Sequence, residues 1–316
     1  MNKILNYLKE NSKITLCTIL IALLFIIGNL ITGGNFSSLG STIKFASFTA
    51  IFGLGQMLII CTGGDIDLSV GYCATIVSCI TAGMMDGKNN NIWKAIILLF
   101  FPSILVGLIN GLLTVYTKLP SLVVTLAMSQ ILQGLVDVYS AGNSIGGKPS
   151  PILSVIAAKN TGVFPNIFFL LIIIIIGVMW LLNKTKISIQ LVSCGSNAVA
   201  AHLSGIKVKK VRVLSFVACD VIAALMGLLL LGNLGLAFKD MASSYVMPSI
   251  AAVVIGGLSI KGGQKNYIGV VLGAIVLQTL TNLFVSLGWG DSGKYLGYGL
   301  ILLLMLIVYV REKVSR

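Results

Sequence analysis

From Thr49 to Met85 the chain reads TAIFGLGQMLIICTGGDIDLSVGYCATIVSCITAGMM. Two apolar runs flank the break Gly63-Gly64-Asp65-Ile66-Asp67, whose aspartates are the only charges in the stretch. Continuous apolar runs without period-two alternation read as membrane-spanning helices, because the hydrocarbon layer takes about 20 mainly apolar residues to cross. The pattern repeats outward in both directions. It gives ten candidate spans, at 14–32, 43–61, 68–85, 93–115, 122–139, 165–183, 213–235, 247–260, 267–287 and 297–310. A transmembrane strand barrel is excluded by the same lack of alternation.

Composition agrees. Of 316 residues, 57% are hydrophobic and 10% charged, with a mean hydropathy of +1.01. Soluble domains carry about 25% charged residues, so a soluble enzyme and a disordered chain are both excluded. The expected fold is an all-α integral membrane protein of about ten transmembrane helices in one domain over 1–316. The run at 14–32 is too long for the apolar region of a cleavable signal peptide, and no small-residue cleavage site follows it cleanly.

The formal net charge is +13. On a soluble chain that would suggest nucleic acid. Here the basic residues lie between apolar runs and report orientation, so no nucleic-acid partner is expected. With the N-terminus inside, fifteen of the 22 Lys and Arg residues fall inside and seven outside. The positive-inside rule therefore favours N-in and C-in. The six cysteines form no C-x-x-C pair and read as buried small hydrophobes. The connection 140–164, rich in Gly, Ser and Pro, falls outside. The connection 184–212, with six basic residues, falls inside. Around Asn197–Gly205 the latter fits either a short reentrant or surface helix, or a solvated basic loop.

Ten spans divide into five and five, with repeat halves at 1–140 and 165–316. Repeats with an odd number of spans are inverted relative to each other. The third span of each half is unusual. One follows the break at Gly63–Asp67; the other begins at Met247-Pro248-Ser249 and ends in Gly256-Gly257. Interrupted or short segments at matching positions of two halves point to a substrate path.

Residues able to carry chemistry are few. Asp65, Asp67 and Ser69 sit at the break. Asp67 and Ser69 read as N-cap groups of the next helix, or, with Gly63 and Gly64, as a hinge or pathway element. Asp137 lies near an outer span end. Asp220 lies inside a span, where a proton relay would need a partner, and no intramembrane Lys, Arg or His accompanies it. Asn110, Gln130, Gln133, Gln278 and Asn282 are interhelical glue or the lining of a path for a neutral polar solute, since amides both donate and accept. Gly142–Lys148 nearly matches a phosphate loop, but Pro149 stands where the Mg²⁺-binding hydroxyl belongs. His202 is the only histidine. No catalytic residue, metal site or cofactor is expected.

Four blocks in register resemble the permease subunits of sugar-type ABC importers, the ribose, galactose, xylose and autoinducer-2 group related to the branched-chain amino-acid permeases. They are Gly63–Gly71 (GGDIDLSVG), Pro120–Gly134 (PSLVVTLAMSQILQG), Cys194–Ile206 (CGSNAVAAHLSGI) and Ile250–Gly263 (IAAVVIGGLSIKGG). The resemblance implies a permease in the bacterial plasma membrane, with a second permease subunit, identical or homologous. It also implies separate ABC ATPase subunits inside and an extracytoplasmic solute-binding protein outside. The third block resembles the loop that family sets against its ATPase, so Gly195, Asn197, Ala198, Ala201, His202, Leu203 and Gly205 become coupling-loop candidates. Its apolar residues Ala198, Val199, Ala200, Ala201 and Leu203 are the expected anchors, and Gly195 and Gly205 the expected breaks. Gly63, Gly64, Asp65, Asp67, Ser69, Pro248, Gly256 and Gly257 become break or pathway candidates.

The chain departs from the family pattern in three places. Asp65 intervenes between the Gly pair and Ile-Asp-Leu-Ser, Met247-Pro248-Ser249 replaces an acidic motif, and Gln264-Lys265-Asn266 replaces a Gly-containing turn. The solute is expected to be a monosaccharide or similar small neutral polar molecule, with nucleosides and autoinducer-like solutes admitted. The rival readings are a self-sufficient secondary transporter and, weaker, an intramembrane enzyme. In a cysteine-labelling scan of intact cells, position 202 is expected to react only from the cytoplasm and position 148 only from outside. External labelling at 202 would overturn this topology.

Overall fold

The computed structural model describes residues 12–34, 36, 39–141, 147–290, 292–293, 295–297 and 299. The first half comprises α1 Ser12–Thr32, α2 Leu39–Gly63, α3 Val70–Met85, α4 Ile92–Thr117 and α5 Ser121–Ser140. A short α6, Pro151–Ala157, and an antiparallel ribbon of β1 Asn160–Thr161 and β2 Phe164–Pro165 follow. Then come α7 Asn166–Lys184, α8 Lys186–Ser196, α9 Ala198–Leu203, α10 Val208–Leu234, α11 Val246–Ile255 and α12 Tyr267–Ser286. Among the described residues, seven helices are long and apolar enough to cross a membrane. The chain is an all-α membrane protein. The expected span 297–310 lies almost wholly outside the described residues, as does the phosphate-loop-like stretch at 142–146.

The expected spans 68–85 and 247–260 become the two shorter apolar helices. α3 has 16 residues and α11 has 10, or about 24 and 15 Å of helix at 1.5 Å per residue. Neither reaches across about 30 Å of hydrocarbon. The cause is the same in both: the chain enters the bundle as non-helical backbone before it coils.

Before α3, residues 64–69 fold back along α2. Gln56 of α2 grips this segment from both sides: its Nε2 donates to the Asp67 carbonyl at 2.6 Å, and its Oε1 accepts the Asp67 N–H at 3.3 Å. The Ile66 N–H reaches Ser121 Oγ at 3.3 Å, the Leu68 N–H reaches Thr125 Oγ1 at 3.0 Å, and the Ser69 N–H reaches Asp67 Oδ1 at 2.7 Å. Irregular backbone at membrane depth survives only where protein satisfies it, and here polar side chains of α2 and α5 do so.

Before α11, Gly235 ends α10 with φ +80, and residues 236–245 lead back into the bundle. The first turns of α3 and α11 then meet. A Cβ at Gly71 would lie 2.5 Å from Val246 Cγ2. The Ala242 N–H donates to Thr75 Oγ1 at 3.4 Å, and Tyr72 Oη donates to Asp240 Oδ1 at 2.5 Å.

Small residues let the surrounding helices close in, as membrane packing requires. A Cβ on Gly107 of α4 would sit 2.5 Å from Val217 Cα of α10, and one on Gly227 of α10 would sit 2.2 Å from the Ala74 carbonyl of α3. The outer faces of α4, α5 and α7 are apolar, with Phe101, Leu126, Ile173 and Trp180 exposed. All six cysteines are free and buried.

The 25 residues of α2 separate two ends of the bundle. At its start, Lys44 donates to the Ala158 carbonyl at 3.1 Å, which places the α6–ribbon segment there. At its finish, Cys61 accepts the Gly263 N–H at 2.9 Å beside α8. Near the first end, Lys239 Nζ donates to Asp137 Oδ1 at 2.8 Å, and this carboxylate holds the exposed ammonium's pKa above its ordinary value.

If Gln56 holds the break, Gln56→Leu keeps the volume and orphans both backbone groups of Asp67. Each orphaned group costs about 1–3 kcal/mol. A clear fall in the thermal midpoint of the detergent-solubilised protein is expected; an unchanged midpoint would show that the break needs no such grip.

Candidate functional site

Three features gather most of the candidate residues. The first is the polar knot under α3. Asp67 is fully buried. Its Oδ1 accepts from the Ser69 N–H and, at 2.6 Å, from Ser69 Oγ. Asn110 of α4 donates through Nδ2 to Ser69 Oγ at 2.9 Å and to Asp67 Oδ2 at 3.4 Å. Asp67 thus holds Ser69, the residue from which α3 starts. Ser69 occupies the N-cap position but makes no side-chain cap bond, which corrects its expected role. Asp220 of α10, also fully buried, lies against Asp67, Cys73 and Asn110. Neither of its carboxyl oxygens has a donor in hydrogen-bond geometry, and Asn110 Oδ1 is likewise unpartnered. The neighbour that the sequence did not supply for Asp220 is another carboxyl.

The second feature is a groove of about 410 Å³ beside the first turn of α11. Ser41, Phe45 and Thr49 of α2 form one wall, Gln278, Thr281, Asn282 and Val285 of α12 the other, and Ser244, Tyr245 and Pro248 the floor, with Tyr295 also lining it. No charged side chain lines it among the described residues. Gln278 donates to Asn282 Oδ1 at 3.0 Å, and Asn282 donates to Thr42 Oγ1 at 2.8 Å, so the amides are held in place. The Tyr245 ring stacks on Phe52 with centroids 5.8 Å apart.

The third is a platform at the end of the bundle where α2 finishes. α8 and α9 run across it, divided at Asn197, whose Oδ1 accepts the N–H groups of Val199 and Ala200 at 3.1 and 3.0 Å. The short helix expected near Asn197–Gly205 is therefore α9. Gly205 ends it with φ +84. Gly195 is not a break: it lies inside α8, where a Cβ would stand 2.0 Å from the Cys61 carbonyl and 2.3 Å from Gly263 N. Ala201 is not an exposed anchor either. It is 4% exposed, whereas Val199 and Leu203 are 71% and 81% exposed. Ala198 and His202 are exposed as well. A cavity of about 630 Å³ lies between α8 and α9. Lys265 Nζ ties the platform down, donating to Ser188 Oγ at 2.6 Å and to the Leu182 carbonyl.

The two glycine-rich blocks meet above this platform. A Cβ on Gly64 (φ +75) would fall 2.2 Å from the Ile260 carbonyl, and one on Gly63 3.1 Å from Arg212 Nε. Asp65 Oδ2 accepts from Arg212 Nη2 at 2.5 Å. Gly256 packs on Gly269 of α12, where a Cβ would be 2.4 Å away, and Gly257 follows with φ +87.

The amides expected to line a path do not converge. Gln278, Asn282 and Pro248 border the groove and Asn110 the knot, whereas Gln130 is exposed and Gln133 half-buried on α5. Sequence reasoning missed Ser41, Phe45, Thr49, Thr281 and Tyr245. Spacing held a signal for all of these but Tyr245: positions 41, 45 and 49, and 278, 281, 282 and 285, each follow one helical face.

Residues 38–309 match the family described as branched-chain amino acid transport system / permease component. The ribose import permease protein of Bacillus subtilis (strain 168) is 30% identical over 267 residues, covering 84% of this chain and 82% of the relative. The ribose import permease protein of Escherichia coli (strain K12) is 27% identical over 297 residues, covering 92% of each. An autoinducer 2 import system permease protein of Yersinia pestis (strain Pestoides F) is 28% identical over 257 residues, covering 78% of this chain and 73% of the relative. No solved structure matches. With nearly the whole chain matched and the interrupted helices built from the matching blocks, this protein belongs to the branched-chain amino acid transport system permease component family.

Proposed function

We propose that this chain is the membrane-spanning permease subunit of an ATP-binding-cassette importer and forms the path for a monosaccharide or similar small neutral polar solute. The observation that carries the reading is the groove, which the described residues line with hydroxyls and amides and no charged side chain, beside the Tyr245 ring. A polyol needs groups that both donate and accept, and about 410 Å³ falls within the usual range for small-molecule sites, about 300–1,000 Å³. The relatives' names, ribose and autoinducer 2 import permeases, support the same class of solute. The path candidates are Gln278, Asn282 and Pro248, while Asp67, Ser69 and Asn110 hold the start of α3, whose first turn meets that of α11.

In this reading the chain works with separate ATPase subunits, an extracytoplasmic solute-binding protein and a second permease, identical or homologous. It sits in a bacterial plasma membrane as a ten-span, N-in and C-in domain built from inverted halves 1–140 and 165–316. The meeting of α3 and α11, each third in its half, at their first turns supports that inversion. α9 is the coupling helix, and Val199 and Leu203 are the side chains it offers to a groove of the ATPase.

One observation favours an ion-coupled secondary transporter, namely the facing carboxyls of Asp67 and Asp220. Donors already occupy Asp67, however: Asn110 Nδ2 and Ser69 N–H and Oγ. A cation needs a cage of oxygens instead, so the ATP-driven reading is the better supported.

The test is copurification from native membranes. The tagged chain is expected to bring down an ATP-hydrolysing subunit. Leu203→Glu should abolish that without lowering the chain's abundance, because it changes only an exposed anchor. Ala201→Glu should instead reduce abundance, because it buries an unpaired charge. Full retention of the ATPase by Leu203→Glu at normal abundance would refute the assignment of α9.

A further inference from the structure

We propose that Asp65 and Arg212 are positioning residues that link α8–α9 to the interrupted helix α3, so that seating of the ATPase at the platform is felt at the break. This rests on the importer reading above. Three observations carry it.

First, the platform and the break form one mechanical block. α9 runs into α10 without a slack segment: the Ile206 N–H bonds to the Ala201 carbonyl at 3.0 Å, the Val208 N–H to that of Ile206 at 2.9 Å, and the Val211 N–H to that of Lys207 at 3.0 Å. Arg212 is the next residue. On the other side, Gly195 presses α8 onto Cys61 and Gly263 with no room for a Cβ. A displacement of α9 therefore moves Arg212.

Second, Arg212 holds the break by its side chain. The 2.5 Å contact joins residues 147 apart in sequence, with the side chains 29% and 12% exposed. The other described ion pairs, Lys88–Asp86 and Lys239–Asp137, have side chains between 46% and 71% exposed. From Asp65 the chain passes at once to Ile66 and Asp67, whose bonds to Ser121 and Gln56 set where α3 begins.

Third, the pair is not built as a static lock. Arg–carboxylate pairs are frequently bidentate. Here one guanidinium nitrogen makes the contact, and Arg212 Nε is buried without a partner. Such a pair has a donor in hand to re-partner, as an element with two arrangements must.

The experiment uses the assembled complex of this chain, its ATPase and its binding protein in proteoliposomes, with solute uptake and ATP hydrolysis measured together. Asp65→Asn is expected to keep normal bound ATPase and continued hydrolysis, while solute moved per ATP falls about 5-fold or more, the lower end of a typical coupling free energy. Arg212→Gln should do the same, and the double variant should be no worse than either single one, as partners in one interaction require. Arg212→Lys keeps the charge and should recover part of the loss. Normal solute per ATP in Asp65→Asn would overturn the proposal, as would additive losses in the double variant. Should Arg212→Gln fail to assemble, Asp65→Asn against Arg212→Lys decides alone. A wild-type chain that binds no ATPase would instead bring down the importer reading itself.

Discussion

Gln56 is the residue on which the architecture hangs. A bilayer offers no water to unpaired backbone groups, so a chain that re-enters it without coiling must find partners within the protein. Gln56 gives Asp67 both a donor and an acceptor. Thr125 and Ser121 bond the neighbouring N–H groups of Leu68 and Ile66. With those groups satisfied, α3 begins inside the bundle and leaves room for the first turn of α11 to meet it. The groove exists because α11 also starts there: Ser244, Tyr245 and Pro248 are its floor.

This arrangement separates two tasks along the length of α2. At one end, the described residues of the groove present hydroxyl and amide groups and no charged side chain. At the other, α8 and α9 lie across the bundle with Val199 and Leu203 outward, held by Lys265, Gly195 and Asn197. Between them lie the glycine-rich blocks, where backbone passes backbone closer than a side chain would permit. In the proposed reading the chain supplies a path and a handle, and a separate ATPase supplies the energy.

Much of this was legible in the sequence, for reasons of solvent. Hydrocarbon demands continuous apolar runs, so α1, α2 and α4 stand out by length alone, and the Gly63–Asp67 interruption is conspicuous against them. Asn197 and Gly205 mark α9 because capping and left-handed backbone have few substitutes. Contacts between distant segments were not legible. Nothing in a sequence says that Asp220 lies against Asp67, or that Arg212 reaches Asp65, since helix periodicity gives faces but not neighbours. Exposure misled in the same way: Ala201 and Leu203 both look apolar, yet only the structure shows that Ala201 packs inward. Gly195 read as a break because glycine often is one; here its missing side chain serves close packing.

In the proposed reading the interrupted bundle is a path driven from outside itself. The most direct measurement is uptake of labelled ribose into proteoliposomes, with the chain alone and with the ATPase, binding protein and ATP that copurify or are encoded beside it. Uptake is predicted only when all components are present, and it should stop when the ATP analogue cannot be hydrolysed. Accumulation of the solute by the chain alone, driven by an ion gradient, would contradict the account.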